Sequence, residues 1–239
     1  MEKRLSINVE HPEAIQQMFN AIAPRYDLLN HLLSFGLDIH WRRQTVGLLT
    51  EKRGGAILDI ASGSGDLSLE VLRLQPRIVV STDFAQTMLE AFQNKLGKRN
   101  NAQSIKLASC NALHLPFREQ SFDATIVAFG IRNFADRLQS LREMMRVLKP
   151  GGISVLLELS APRRPIVSQF YKLYSQIGLP LLGKIISRHR EAYRYLPESI
   201  AIFPDEEEFQ LLMSQAGFAD IRAIPLSFGV ATIYVGRKE

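Results

Sequence analysis

Glycines and acidic residues come together in one stretch of the chain, where a predicted buried strand ends. From Leu58 to Asp66 the sequence reads Leu-Asp-Ile-Ala-Ser-Gly-Ser-Gly-Asp, which places Gly63 and Gly65 in a turn between a strand and a helix. Because glycine has no Cβ, such a turn lets the backbone approach a ligand closely. The pattern predicts a site for a nucleotide-like cofactor.

The residues around the two glycines narrow the choice of cofactor. A dinucleotide site has a third glycine and a helix N-terminus facing a pyrophosphate, whereas here the third position is Ser68 and Asp66 directly follows the turn. The carboxylate of Asp66 disfavours an anionic ligand, and Asp59 adds a further negative group that suits an amino group and a sulfonium. The sequence therefore favours S-adenosylmethionine, with Asp59, Gly63 and Gly65 among its contacts.

An acid also ends the next predicted strand, at the position where a ribose-binding carboxylate is expected. Asp83 closes the apolar run from Ile78 and follows Gly65 by 18 residues. The alternative is that Asp83 caps the helix that starts near Ala85, since aspartate is a preferred N-cap residue.

Composition limits the class of protein. The 239 residues are 46% hydrophobic, enough for one α/β domain with a substantial core. A single cysteine, Cys110, excludes an internal disulfide and a multi-cysteine zinc site, so we expect a reducing cytoplasm and no metal. No run reaches the roughly 18 apolar residues of a spanning helix.

Positive charge is concentrated in one apolar segment. Between Arg163 and Arg194 there are seven Lys or Arg residues and one acid, Glu191, interleaved with large apolar residues. Basic and apolar character together predict peripheral contact with an anionic membrane, while a helical lid over the core, or a homodimer face, is the alternative. No recognisable nucleic-acid module accompanies the charge, so we expect no nucleic-acid partner.

The order of predicted elements indicates an α/β fold: a doubly wound, mostly parallel seven-stranded sheet with a terminal antiparallel hairpin, in a single domain over 1–239. An N-terminal helical segment covers 1–50, and a helical insertion covers about 163–200. The predicted helices are 11–22, 38–50, 65–74, 85–98, 136–148 and 205–216, and the predicted strands are 56–60, 77–83, 104–109, 122–129, 153–159, Ile221–Ile224 and Phe228–Val235. Leu148–Gly152 is predicted to be a helix exit and a turn.

In such a sheet the ligand lies beyond the carboxyl ends of the strands, so the loops after 60, 83, 109 and 129 should build the site. Asn111 would bond an adenine edge beside the small Ala112, or would be a simple turn asparagine. Arg132 and Asn133 reach the same rim as substrate contacts, although Arg132 has Asp136 as an alternative partner.

Two long segments then carry a resemblance to a known family. Tyr26–Trp41 and Arg146–Ser160 are similar to the ubiquinone/menaquinone biosynthesis C-methyltransferases, which are class I methyltransferases, and the likeness extends over nearly the whole chain. By that resemblance the cofactor contacts fall on Ser64, Asp83, Asn111 and Ala112. The family usually has Thr at Ser64 and Met at Leu29, and many members have Ser at Ala128.

The resemblance implies methyl transfer to a ring carbon of a lipid-tailed, reduced polyprenyl quinone, with demethylmenaquinol as the first choice. The polyprenyl methoxy-benzoquinol of ubiquinone synthesis, or a soluble small molecule, is the alternative acceptor. Arg132 is the catalytic candidate, as a cation favouring the phenolate. Tyr26, Asp27, His31 and His40 are candidates for proton handling or for shaping the substrate mouth, or they pack the N-terminal helices.

Overall fold

The computed structural model describes residues 12–23, 26–100, 102–162, 165, 169 and 190–239. The strands are β1 (Ala56–Ile60), β2 (Ile78–Asp83), β3 (Ile105–Ser109), β4 (Phe122–Ala128), β5 (Leu148–Leu159), β6 (Ala219–Leu226) and β7 (Ala231–Arg237). The helices are α1 (Pro12–Ile22), α2 (Tyr26–Leu33), α3 (Leu37–Gly47), α4 (Asp66–Val71), α5 (Gln86–Leu96), α6 (Arg137–Val147), α7 (Arg190–Ala201) and α8 (Glu206–Gln215).

The described strands form one seven-stranded sheet of order β3-β2-β1-β4-β5-β7-β6. Strands β1 to β5 pair in parallel, and β7 pairs antiparallel with both β5 and β6. The predicted doubly wound fold and its closing hairpin are confirmed. The sheet order reverses next to β1, because β2 lies on one side of β1 and β4 lies on the other. A parallel sheet opens a ligand crevice at such a reversal.

Both faces of the sheet are covered, so its central strands are buried and mostly apolar. All five residues of β1 are buried. On one face Trp41 of α3 and Phe92 of α5 belong to the core, and on the other face Met144 of α6 and Phe209 of α8 do. Consecutive residues of β1, Ile57 and Leu58, point to these two opposite cores.

Two sequence predictions of local structure are wrong. Helix α2 was not predicted, because its eight residues are too few to give a clear helical period. Leu148–Gly152 is not a turn but the beginning of β5. There the amide of Gly151 donates to the carbonyl of Lys238 at 2.8 Å, and the amide of Lys238 donates to Gly152 at 2.9 Å, so pairing with the chain end overrides the local turn signal.

Most of the predicted insertion at about 163–200, including most of its basic residues, lies outside the described residues. Helix α7 is the part of it that the structure describes. None of the helices within the described ranges combines the length and the apolar character needed to cross a bilayer.

Candidate active site

A cavity opens at the carboxyl ends of β1 to β4, beneath α1 and α2. It encloses about 890 Å³ of space between atoms, a volume that includes open solvent. All four loops that the sequence predicts for the site contribute to it. The lining residues are Ile15, Gln16, Phe19, Tyr26, Ile60, Ala61, Gly63, Thr82, Asp83, Phe84, Ala85, Met88, Cys110, Asn111, Ala112, Leu113, Ala128, Phe129, Gly130, Asn133, Phe134 and Ala135.

The two glycines of the turn are needed for different structural reasons. Both have left-handed backbone, with φ of +54° at Gly63 and +89° at Gly65. A Cβ on Gly65 would lie 2.2 Å from the ring of Phe92, so this glycine makes room for the core. A cofactor contact at Gly65 stays a prediction, whereas Gly63 lies on the cavity wall.

Asp83 holds the glycine turn and the start of α5 at the same time. Its Oδ2 accepts the amide of Gly63 at 2.8 Å, and its Oδ1 accepts the amide of Ala85 at 2.8 Å. Burial raises the pKa of Asp83, although these backbone donors oppose the rise. Each carboxylate oxygen has further lone-pair capacity toward the cavity, so the turn contact and a ribose contact are compatible.

Asp59 is fully buried at the end of β1, beneath the glycine turn. Burial raises its pKa to about 7, the hydrogen bond from Ser68 opposes the rise, and the charge of Asp83 adds to it. Its Oδ2 accepts the hydroxyl of Ser68, while its Oδ1 has no hydrogen-bond partner within the described residues. The carboxyl lines a small void shared with Tyr26 and Ser64.

Asn111 and Ala112 follow β3 at the cavity wall. Oδ1 of Asn111 accepts the amide of Leu113 at 2.9 Å, so this side chain does form the turn that was the alternative prediction. Both residues nevertheless line the cavity, and Ala112 is buried there. A contact with the cofactor remains a prediction for both.

Ser64 faces the N-terminal helices. Its hydroxyl donates to Asp27 of α2, and Lys95 of α5 bridges Asp27 at 2.6 Å and Asp66 at 2.8 Å. Lys95 is shared by Asp27 and Asp66, so it offsets only part of the charge of Asp66. The electrostatic preference for a cation depends on Asp59 and Asp83 as well as on Asp66.

Tyr26, the first residue of α2, lies over the glycine turn. A Cβ placed on Gly63 would be 3.5 Å from its ring. Burial raises the pKa of Tyr26, while a hydrogen bond with Asn30 and the charges of Arg132 and Arg42 oppose the rise. Tyr26 lines the main cavity, and its contact with the acceptor stays a prediction.

Arg132 is buried in an ion pair and is not among the residues that line the main cavity. Its Nη1 donates to Oε1 of Glu158 at 2.7 Å and to the carbonyl of Phe129. The partner that the sequence offered, Asp136, instead caps α6 by accepting the amide of Gln139. The charge of Arg132 opposes the rise in the pKa of Tyr26 on the cavity wall, and the catalytic role of Arg132 remains a prediction.

Asn133 links the cavity to α7. Its Oδ1 accepts the hydroxyl of Tyr195 at 2.6 Å, and its Nδ2 donates to the carbonyl of Phe129 at 3.5 Å, which leaves one Nδ2 donor available to a ligand. Tyr195 is buried against Ile15, and Glu158 is buried beneath Arg132. Sequence reasoning missed both residues, and the one local signal was an acid, Glu158, inside an apolar strand.

Most of the other polar candidates of the N-terminal segment have structural partners. Nδ1 of His31 lies 2.8 Å from Oδ2 of Asp38, which also pairs with Arg42. The indole of Trp41 donates to Ser227 at 2.9 Å. These contacts fix α2 and α3 against the sheet, while His40 is exposed.

The carboxylates of the crevice fit a cationic adenosyl cofactor. Asp83 offers acceptors for the two hydroxyls of a ribose, and the buried, unsatisfied Oδ1 of Asp59 would gain a favourable contact from a nearby positive charge. A mostly parallel seven-stranded sheet with this crevice defines the class of S-adenosylmethionine-dependent methyltransferases.

Comparisons with known proteins agree with that class. A solved SAM-dependent methyltransferase from Thermotoga maritima superposes with a TM-score of 0.66 at 20% identity, covering 93% of this chain and 99% of that one. The ubiE/COQ5 methyltransferase family model matches residues 7–238. The chain belongs to this family, and its methyl donor is S-adenosylmethionine.

Two relatives share almost half of the sequence. One is the "Demethylmenaquinone methyltransferase" of Thermus thermophilus, 47% identical over 222 residues, which are 92% of this chain and 100% of the relative. The other is the "Ubiquinone/menaquinone biosynthesis C-methyltransferase UbiE" of Geobacter sulfurreducens, 45% identical over 96% of this chain and 90% of the relative.

Proposed function

We propose that this chain methylates a ring carbon of demethylmenaquinol. The observation that carries the proposal is the 47% identity to the Thermus thermophilus demethylmenaquinone methyltransferase over that relative's whole length. The mostly apolar cavity beside the cofactor carboxylates supports an aromatic acceptor.

The cofactor contacts that we propose lie on one side of the crevice. Asp83 accepts hydrogen bonds from the ribose, and Asn111 with Ala112 borders the base. Asp59, Gly63 and Ser64 surround the amino acid end, while Gly65 contributes through the shape of the turn. Bound S-adenosylmethionine supplies a methyl group that is already activated by a positive sulfur, so the protein mainly has to hold the acceptor carbon in line.

The acceptor side of the proposal involves Tyr26, Asn133 and Arg132. Phenols titrate near pH 10, and a ring carbon becomes a stronger nucleophile when the adjacent hydroxyl is deprotonated. An Nδ2 donor of Asn133 can bind the acceptor oxygen, and the buried charge of Arg132 favours the phenolate without direct contact. Tyr26 forms the wall between the acceptor and the glycine turn.

A lipid-tailed acceptor resides in a membrane, so we also propose peripheral contact with the cytoplasmic side of an anionic bilayer. The seven cations between Arg163 and Arg194 support this proposal. Binding to anionic vesicles should therefore weaken as salt concentration rises. A homodimer face is the other use that we propose for this apolar segment.

The second candidate acceptor is the polyprenyl methoxy-benzoquinol of ubiquinone synthesis, which the name of the Geobacter sulfurreducens relative favours. The purified chain would be incubated with methyl-labelled S-adenosylmethionine and each quinol, with soluble phenols in parallel. We expect the highest kcat/KM with demethylmenaquinol. Faster transfer to the benzoquinol would select the second acceptor, and transfer to soluble phenols alone would refute both.

A further inference from the structure

Large apolar side chains are exposed in a cluster at the turn between α2 and α3. Among the described residues, five of the nine large apolar side chains that are exposed fall within twelve consecutive positions. We call them the apolar tip; they are Leu28, Leu32, Phe35, Leu37 and Ile39. Isolated exposed apolar residues are ordinary, but a contiguous group marks an interaction surface.

Contacts within and between α2 and α3 hold the apolar tip in place. Leu28 and Leu32 are one turn apart on α2 and share its outer face, while Leu29 is buried on the inner face. The contact between Nδ1 of His31 on α2 and Oδ2 of Asp38 on α3, at 2.8 Å, joins the two helices beneath the tip, and Arg42 of α3 pairs with the same carboxylate. The exposed face is therefore held in place by the fold.

Phe35 occupies an unfavourable backbone conformation for a bulky residue. The amide of Gly36 donates to His31 at 2.7 Å and the amide of Phe35 to Leu32 at 3.2 Å, which is the helix-ending pattern whose left-handed position normally holds glycine. Phe35 has φ of +52° there and is 76% exposed. Strain of this kind at an exposed aromatic residue points to a role in binding.

Positive charge borders the tip. Ile39 shares a surface cleft with Arg73 and Arg99. Arg43 and Arg73 have 53% and 62% exposed side chains, whereas Glu70, which lies 3.9 Å and 3.0 Å from them, is only 16% exposed. Asp66, the other acid of the cleft, has a 22% exposed side chain, so the cations are outermost and both acids are recessed, which complements an anionic surface.

We propose that the apolar tip enters the acyl region of an anionic bilayer while Arg43, Arg73 and Arg99 contact lipid phosphates. The use of this membrane contact rests on the proposed function. Helix α2 begins at Tyr26 on the cavity wall and is about 12 Å long, so docking at its far end brings the cavity within reach of a quinol whose tail stays in the membrane.

The test is vesicle flotation of the full chain with phosphatidylglycerol and with phosphatidylcholine vesicles. The double variant Leu28→Ser, Phe35→Gly should lower partitioning onto phosphatidylglycerol at least tenfold. The matched control is Leu211→Ser: Leu211 is 59% exposed against 60% for Leu28, but it lies on α8, which covers the opposite face of the sheet. The control should stay within twofold of the wild type.

Several results would overturn the proposal. One is that the double variant partitions onto the vesicles as well as the wild type does, and another is that the control loses as much partitioning as the double variant. A third is that light scattering shows a wild-type dimer that dissociates in the double variant. Phe35→Gly alone should not lower the unfolding midpoint, because glycine is favoured at that φ, so misfolding is separable from lost binding. Methyl transfer to a short-tailed, water-soluble quinol should be unchanged in the double variant. If the wild type binds through the tip but methylates no quinol, only the proposed function fails.

Discussion

The stability of the protein should depend on pH through Asp59. Its pKa of about 7 in the folded chain exceeds the ordinary value of 3.8 because the carboxyl is buried. A carboxyl with a raised folded pKa retains its proton in the folded state at a pH where the unfolded state has lost it. Asp59 therefore contributes stability that is complete below about pH 4 and is lost as pH rises through 7.

The size of the effect follows from the two pKa values. A difference of roughly three units corresponds to about 4 kcal/mol over the full titration. Between pH 5 and pH 8 the linkage relation gives a loss of about 2.5 kcal/mol from this residue. The substitution Asp59→Asn keeps the shape of the side chain but cannot ionise, so the free energy of unfolding of the variant should lack this loss.

Urea unfolding of the wild type and of Asp59→Asn at several pH values measures the difference between them, in which the other titrating groups largely cancel. The variant should gain on the wild type by about 2.5 kcal/mol from pH 5 to pH 8. Ser68→Ala removes a hydrogen bond that opposes the pKa rise, so it should move the inflection to higher pH. A difference between wild type and Asp59→Asn that is constant with pH would refute the reasoning.

The remaining predictions concern turnover, folding and acceptor binding. Arg132→Ala should lower kcat at least tenfold, about 1.4 kcal/mol, with little change in the S-adenosylmethionine Kd measured by calorimetry; an unchanged kcat removes Arg132 from the mechanism. Gly65→Ala should cost at least about 2 kcal/mol of unfolding free energy, because its Cβ would meet the Phe92 ring at 2.2 Å, and a near-neutral urea midpoint would contradict this packing. Tyr195→Phe removes the hydrogen bond that orients Asn133 and should raise KM for the quinol severalfold at constant cofactor Kd; steady-state kinetics with no change in KM would contradict that orientation.

The sheet and its crevice were predictable because their signals are local. Apolar runs such as Ile78–Asp83, separated by helical stretches, specify parallel strands and right-handed crossovers. Asp59 is the penultimate residue of β1 and Asp83 is the last residue of β2, so the topology alone brings them to one edge. Their sequence positions sufficed to predict which loops line the cavity.

The partners of the site residues were not predictable in the same way. The Arg132–Glu158 ion pair joins residues 26 positions apart, and the Tyr195–Asn133 hydrogen bond joins residues 62 positions apart. Such long-range contacts depend on how α7 and β5 pack, which no local sequence pattern encodes. The packing of Gly65 against Phe92 was not predictable for the same reason, since Phe92 lies in α5.

The location of the transferred methyl group tests the account most directly. Demethylmenaquinol would be incubated with the chain and ¹³C-methyl S-adenosylmethionine, and the product would be examined by NMR. We expect a labelled methyl on a ring carbon of the quinone. A label on a ring oxygen, or no label in the quinone while a soluble phenol is methylated, would contradict it.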